Sequence, residues 1–286
     1  MPKLKPANLG RYFVLSQQPL QILAFLLPLI VAYELGTWRY VQDPSTGAVS
    51  SIQITAYQQL NSFFELFGIP AAGWYLPGLA LIAVLIVLHV IQRHSWTVHL
   101  GIPLVMFIEA VALAIPLLVL DKFIGMLMGP DGLLHFTGAM GATAAFSTAP
   151  PTDTAGAAMQ AETLGQMAWQ TRLVLSIGAG IYEELLFRMV IMLAMHTLCV
   201  SLFKWSQRTA TIVAVVGSSL AFMVYHPAWY SGDGGFMLYL AVFYFLCGVY
   251  FAVLYASRGF GIVAGTHAAY DIIVIVVIPW LGKVMG

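Results

Sequence analysis

Apolar runs about as long as a bilayer-crossing helix recur along this chain, near 20–38, 73–92, 100–121, 168–202, 209–226, 235–257 and 261–281. A helix that crosses the hydrocarbon core needs about 20 mainly apolar residues. The pattern therefore predicts an all-α fold, a polytopic transmembrane helix bundle of about seven spans, or eight if the long fourth run is divided. That run carries Glu183, Glu184 and Arg188 in its middle, and tilt, a break or an interfacial continuation would each accommodate its length. Two connections are substantial. Residues 39–72 contain the amphipathic stretch SIQITAYQQLNSFFELFG, and residues 124–166 are rich in Gly, Ala, Thr and Pro, too poor in large apolar side chains to span. The second is expected outside the bilayer, placed to gate entry to a site within it. Residues 1–160 thus read as N-terminal helices with extramembrane loops, and residues 161–286 as a second helical region.

Composition sharpens this picture. The 286 residues are 60% hydrophobic and 8% charged, against about 25% charged in a soluble domain. Twelve basic residues balance twelve acidic ones, so no net field exists to recruit nucleic acid, and that class of function is excluded. Lys3, Lys5 and Arg11 precede the first span, but no small-residue cleavage site follows it, so it reads as a retained helix. With the N-terminus in the cytoplasm, Lys3, Lys5, Arg11, Arg93, Lys204, Arg208 and Arg258 fall on the inner side, and Arg39, Lys122, Arg172 and Lys283 on the outer. This asymmetry follows the positive-inside rule. Cys199 and Cys247 form no CxxC pattern and read as packing residues. The inverted repeat common in transporters is not visible.

Ionisable residues inside a membrane are costly, about 2.5–3.5 kcal/mol at the bilayer centre, and each needs a partner or a task. Glu34 and Glu109 lie in the first half; Glu183, Glu184, Arg188, His196, His226, His267 and Asp271 lie in the second. In GIYEELLFRMV, Glu184 and Arg188 are four residues apart and share a helix face, while Glu183 projects about 100° away. One carboxylate is then neutralised and the other left available for general-base chemistry; a structural ion-pair network would use the same spacing. In SSLAFMVYHPAW, Phe222 and His226 share a face and Pro227 marks a helix end. In GTHAAYDIIVIVVIPW, His267 and Asp271 share a face, with Ala268 and Ala269 between them permitting close helix approach. His89, His94, His99, His135 and His196 read as interfacial histidines.

Together EELLFR, FMVYH and HAAYD, separated by 43 and 41 residues between Glu183, His226 and His267, resemble the EExxxR, FxxxH and HxxxN/D motifs of the CPBP family of CAAX proteases and bacteriocin-processing enzymes, also called the Abi family. The resemblance covers roughly residues 165–281. It implies an intramembrane endopeptidase in which Glu183 and His226 activate water, Glu184, Arg188 and Phe222 support them, and His267 and Asp271 stabilise the oxyanion. Residues 161–286 would be the catalytic core. The implied partners are the lipid bilayer and a membrane-embedded or lipid-anchored protein or peptide substrate, in a bacterial cytoplasmic (inner) membrane.

Asparagine stands at the last motif position in the CAAX endopeptidases, and Asp271 stands here. An ionised carboxylate cannot donate to an oxyanion, so Asp271 is expected either to be protonated or, the favoured reading, to orient His267. A mechanism without cofactor is favoured. The alternative is a zinc ion held by Glu183, His226 and His267, although HExxH is missing. A proton-coupled transporter and a non-catalytic immunity or scaffold protein are the rival functions, the first drawing on Glu34 and Glu109. One difficulty stands out. Counting about 1.5 Å per residue places His226 at the outer end of its helix and His267 about 9–13 Å from the inner end of the last, so the two meet only if 227–235 re-enters the bundle or the helix ends lie elsewhere.

Overall fold

A computed structural model describes residues 6–41, 76–127, 167–226 and 238–285, together with the single positions Ala56, Gln59, Leu60 and Ser62. The expectations for the 51–68 stretch, for most of 124–166 including His135, and for re-entry of 227–235 lie outside the described residues. The main helices are α1 (Pro6–Leu15), α2 (Pro19–Tyr40), α3 (Leu76–Gln92), α4 (Gly101–Leu127), α5 (Trp169–Ser201), α6 (Gln207–Tyr225), α7 (Leu238–Arg258) and α8 (Phe260–Met285). No strand occurs among the described residues. Six of these helices are long and apolar enough to cross a membrane, and the shorter α3 is also apolar. Each of the seven apolar runs coincides with one helix.

The surface is the inverse of a soluble protein's. On α4, Leu104, Ile108, Ile115 and Val119 point outward, more than half exposed, while Glu183, Glu184, Arg188, His226, His267 and Asp271 are buried. Lipid solvates the first group, so the residues of one another's helices must satisfy the second. Local signals start the helices. Pro19 opens α2 in the first turn, where its missing N–H is not needed. The hydroxyl of Ser206 caps α6 by accepting from the Thr209 amide at 3.2 Å.

Helix α8 is central, packed against α4 on one side and α5 on the other. Its contact with α5 depends on Gly180, where a side chain would run into the Ala268 backbone amide and the Ala264 carbonyl. Here the two backbones approach as closely as small residues allow. Gly259, at φ 81°, turns α7 directly into α8 in a conformation costly for other residues.

This contact also resolves the depth difficulty. Gly180 lies 21 residues before the end of α5 at Ser201, whereas Ala268 lies only nine beyond Gly259. At about 1.5 Å per residue, α5 therefore continues about 18 Å past the level of the α7–α8 turn. Helix α6 returns from that overhanging end, so its C-terminus reaches the interior of the bundle and not the far surface. His226 does sit at the end of α6, as the count placed it; what is corrected is the level of that end, which lies inside the bundle because the helix ends are not level.

The long fourth run is neither broken nor continued by a separate helix. It is one 33-residue helix whose middle, Leu185–Met192, is wound as a π-helix. Helix α8 contains a second such stretch, Ile272–Val277. Each begins at the residue after a motif carboxylate, Glu184 in α5 and Asp271 in α8, and π-turns inside α-helices often accompany functional sites.

Candidate active site

Helices α5, α6 and α8 bring the three motifs to one point. The Glu184 carboxylate is fully buried and used on both sides: Oε2 accepts from Arg188 Nε at 2.8 Å, and Oε1 lies 2.9 Å from His267 Nδ1. Arg188, also fully buried, reaches Ser218 Oγ at 3.4 Å through Nη1 and lies over the Phe222 ring at 5.4 Å. These contacts fix the first helix of the site and one of its histidines together.

Glu183 differs. It is 1% exposed, yet neither carboxylate oxygen has a hydrogen-bond partner. Its Oε2 lies 3.5 Å from His226 Nε2 and 3.9 Å from His267 Nε2. Both imidazoles thus turn the same nitrogen toward the same oxygen, at separations too long for a direct hydrogen bond.

The other nitrogens explain why. His226 Nδ1 is 2.7 Å from the Phe222 carbonyl, an acceptor only, so Nδ1 carries the proton. His267 Nδ1 faces the Glu184 carboxylate, paired with Arg188, and by the same argument carries a proton. In each neutral ring Nε2 is then free to accept, and it donates only in the imidazolium. The rings are held flat by aromatic neighbours, His226 stacked on Tyr244 at 4.6 Å and His267 on Phe251 at 4.6 Å.

Asp271 is buried, and its Oδ2, 3.7 Å from His267 Nε2, accepts no hydrogen bond. The expectation that Asp271 orients His267 is therefore reassigned: Glu184 makes the hydrogen bond, and Asp271 faces the opposite nitrogen. A cavity of about 20 Å³, room for a water molecule, opens beside the two imidazoles, lined by Tyr244, Cys247, Phe251, Tyr270 and Asp271 among others. Glu183 lies outside its lining. Among the described residues, no group of three His, Cys, Asp or Glu is arranged to hold a metal ion.

Residues 165–273 match the family model of the type II CAAX prenyl endopeptidase Rce1-like proteins, the stretch that contains all of these groups. Residues 165–273 belong to the CAAX protease family. No curated protein and no solved structure matches the chain. The CAAX protease region occupies α5 to α8 up to the π-turn, embedded in a chain with several membrane-length apolar helices.

Away from the three motifs, the other ionisable groups have different surroundings. Glu109 receives Arg258 through Nε at 2.6 Å and Nη2 at 2.8 Å, and Tyr12 also donates to it. Glu34 accepts from Tyr182 at 2.7 Å. His89, expected at the interface, is buried with its ring edge against Trp96 at 4.5 Å, while His94 and His196 are half-buried and His99 exposed. Both cysteines are buried and free, and Cys247 lines the cavity. Motif reading alone missed Tyr244 and Phe251. Their signal was the spacing of Tyr244, Cys247, Gly248 and Phe251, which share one face of a helix.

Proposed function

We propose that this protein is an intramembrane endopeptidase that hydrolyses a peptide bond near the membrane in a protein or peptide substrate, with Glu183 as the group that activates water. The observation that carries this reading is Glu183 itself: a buried carboxylate with no hydrogen bond, aimed between two imidazole nitrogens. The 3.5 Å between Glu183 Oε2 and His226 Nε2 is short enough for one water, lying to the side of the pair, to contact both.

The step follows from those positions. Water gives one proton to Glu183 and is aligned by its other hydrogen toward His226 Nε2, while its oxygen attacks the substrate carbonyl carbon. The carbonyl π electrons move to oxygen, and His267, as imidazolium, donates from Nε2 to that oxyanion. Collapse of the tetrahedral intermediate breaks the C–N bond, and Glu183 returns its proton to the leaving amine. Glu184 and Arg188 are positioning residues, the first holding His267 and the second holding Glu184. Asp271 would balance the positive charge of His267 across 3.7 Å.

Residues 161–286 form the catalytic core on this reading and residues 1–160 support it, with α2 and α4 packed on α5 and α8. The charge asymmetry and the family resemblance support placing the N-terminus in the cytoplasm and the protein in a bacterial inner membrane. The test compares the membrane proteome of cells carrying wild type and Glu183→Gln. Fragments produced by wild type and missing from the variant are expected, and identical fragment sets would overturn the proposal. Retention of activity after exhaustive chelation would separate this mechanism from the zinc alternative.

A further inference from the structure

Hydrolysis consumes one water per turnover, and the cavity beside His226 and His267 has room for about one. Glu183, His226, His267 and Asp271 are each at most 5% exposed, so the site needs a route by which that water is replaced. Water settles in a protein interior only where polar groups can hold it. Such a route is therefore marked by buried polar atoms that the protein itself leaves unsatisfied.

Three such atoms continue outward from the cavity. Asp271 Oδ2 and Tyr270 Oη belong to residues that line it, and Asp121 Oδ1 lies on α4; none has a hydrogen-bond partner, and each residue is at most 7% exposed. Asp121 shares a face of α4 with Leu117 and Ile124, which belong to one packed cluster with Leu240, Tyr244 and Cys247 of α7 and Tyr270 of α8. Arg258 meets Glu109, and Tyr250 donates to the Leu113 carbonyl. Helices α4 and α7 thus run antiparallel, which carries Asp121 toward the end of α7 that lines the cavity. The Asp121 charge also acts on two cavity residues, Cys247 and Tyr270.

The other oxygen of Asp121 faces outward. Its Oδ2 is 3.6 Å from Nζ of Lys122, whose side chain is 53% exposed. Lys122 stands two residues before the end of the membrane-length stretch Gly101–Ile124, where a lysine extends its ammonium to the lipid–water boundary. One carboxylate therefore joins that boundary to the interior. Unlike Glu109, which binds helices together, Asp121 pairs only with its neighbour in sequence among the described residues. A charge in the bilayer that fastens nothing needs another task.

We infer that Asp121 and Tyr270 line the route of the hydrolytic water, a file of water molecules running from the lipid–water boundary at Lys122 past both side chains into the cavity beside His267. That the file feeds hydrolysis rests on the peptidase reading; that it exists does not. Asp121 and Tyr270 are positioning residues, acting on the reaction through the water they hold.

Hydroxyl radicals made by radiolysis of water modify a buried side chain where water already stands beside it, and mass spectrometry locates the modification. The full-length protein in phosphatidylcholine nanodiscs is compared as wild type, Asp121→Leu and Asp121→Asn. In wild type, Cys247 and Tyr270 should be modified much faster than Met106, a reactive side chain at 0% exposure outside the cavity. Asp121→Leu should slow both modifications by roughly tenfold or more, the occupancy lost with one charge-assisted hydrogen bond to water, and turnover should fall with them. Leucine suits the apolar neighbours, and the unchanged rate at Met106 reports that the fold is intact. Asp121→Asn, which still holds water, should retain most of the modification and of the turnover. Wild-type modification of Cys247 and Tyr270 no faster than that of Met106 would overturn the assignment. So would modification that survives in Asp121→Leu, an Asp121→Asn protein as depleted as Asp121→Leu, or full turnover in Asp121→Leu after the modification is lost. Asp121-dependent modification together with identical fragment sets from wild type and Glu183→Gln would uphold the water file and reject the peptidase reading instead.

Discussion

Two glutamates, a half-buried one in the first half of the chain and a buried one in the second, show what separates a structural charge from a reactive one. Glu109 on α4 is surrounded by donors: Arg258 through two nitrogens and the Tyr12 hydroxyl, with Arg258 also reaching Ser16 and covering the rings of Tyr12 and Phe13. It fastens α1 to α4 and to the end of α7. Glu183 on α5 is buried more deeply and has no donor at hydrogen-bond distance. A carboxylate fully supplied with hydrogen bonds has little capacity left to take a proton from water. One left unsupplied in a rigid setting retains that capacity, at a cost in stability that the Glu184–Arg188 pair beside it helps to offset.

Substitution can break or sharpen this contrast. The largest effect is expected at Glu183→Gln, which should reduce turnover about 10²–10⁴-fold, the range for a general base, with little change in thermal midpoint because no hydrogen bond is lost. Measured turnover above a tenth of wild type would end the contrast. Glu184→Gln strands Arg188 in the interior and should destabilise by about 3–5 kcal/mol, read as a lowered midpoint in detergent together with lost activity. Gly180→Ala drives a methyl group into the Ala268 backbone and should cost about 1–3 kcal/mol, as overpacking does; activity should fall with it, since α8 must move away from α5. Glu109→Gln should have the smallest effect, about 1 kcal/mol, since the pair with Arg258 is partly exposed, at 11% and 19%. Turnover per folded molecule should be unchanged. Loss of turnover in a fully folded Glu109→Gln protein would show that the two glutamates are not different in kind.

The sequence made the helical fold readable because bilayer thickness imposes a length on each apolar run, and that length survives whatever the neighbours are. Glu184 with Arg188 was readable for a similar reason: four residues on a helix fix their proximity locally. His226 was misplaced because depth in a bundle is a tertiary quantity. Nothing in α5 alone states that it overshoots the Gly259 turn, and only the Gly180–Ala268 approach sets that offset. The partner of His267 was misassigned for a related reason. Local spacing offered Asp271, but a residue 83 positions away took the hydrogen bond. The π-wound stretches had no readable signal, since winding there depends on which carbonyls find other donors, as Ile275 finds Arg172.

His226 stands where α6 stops, its amide bonded to the Met223 carbonyl and its ring to the Phe222 carbonyl. The ring's tautomer is therefore selected by a main-chain oxygen, which a change of side chain at position 222 cannot delete. The proton inventory facing Glu183 is in this way insulated from much of the sequence drift around it. It remains exposed to one kind of change, any that lets α6 wind on past residue 225 and draws that oxygen into the helix.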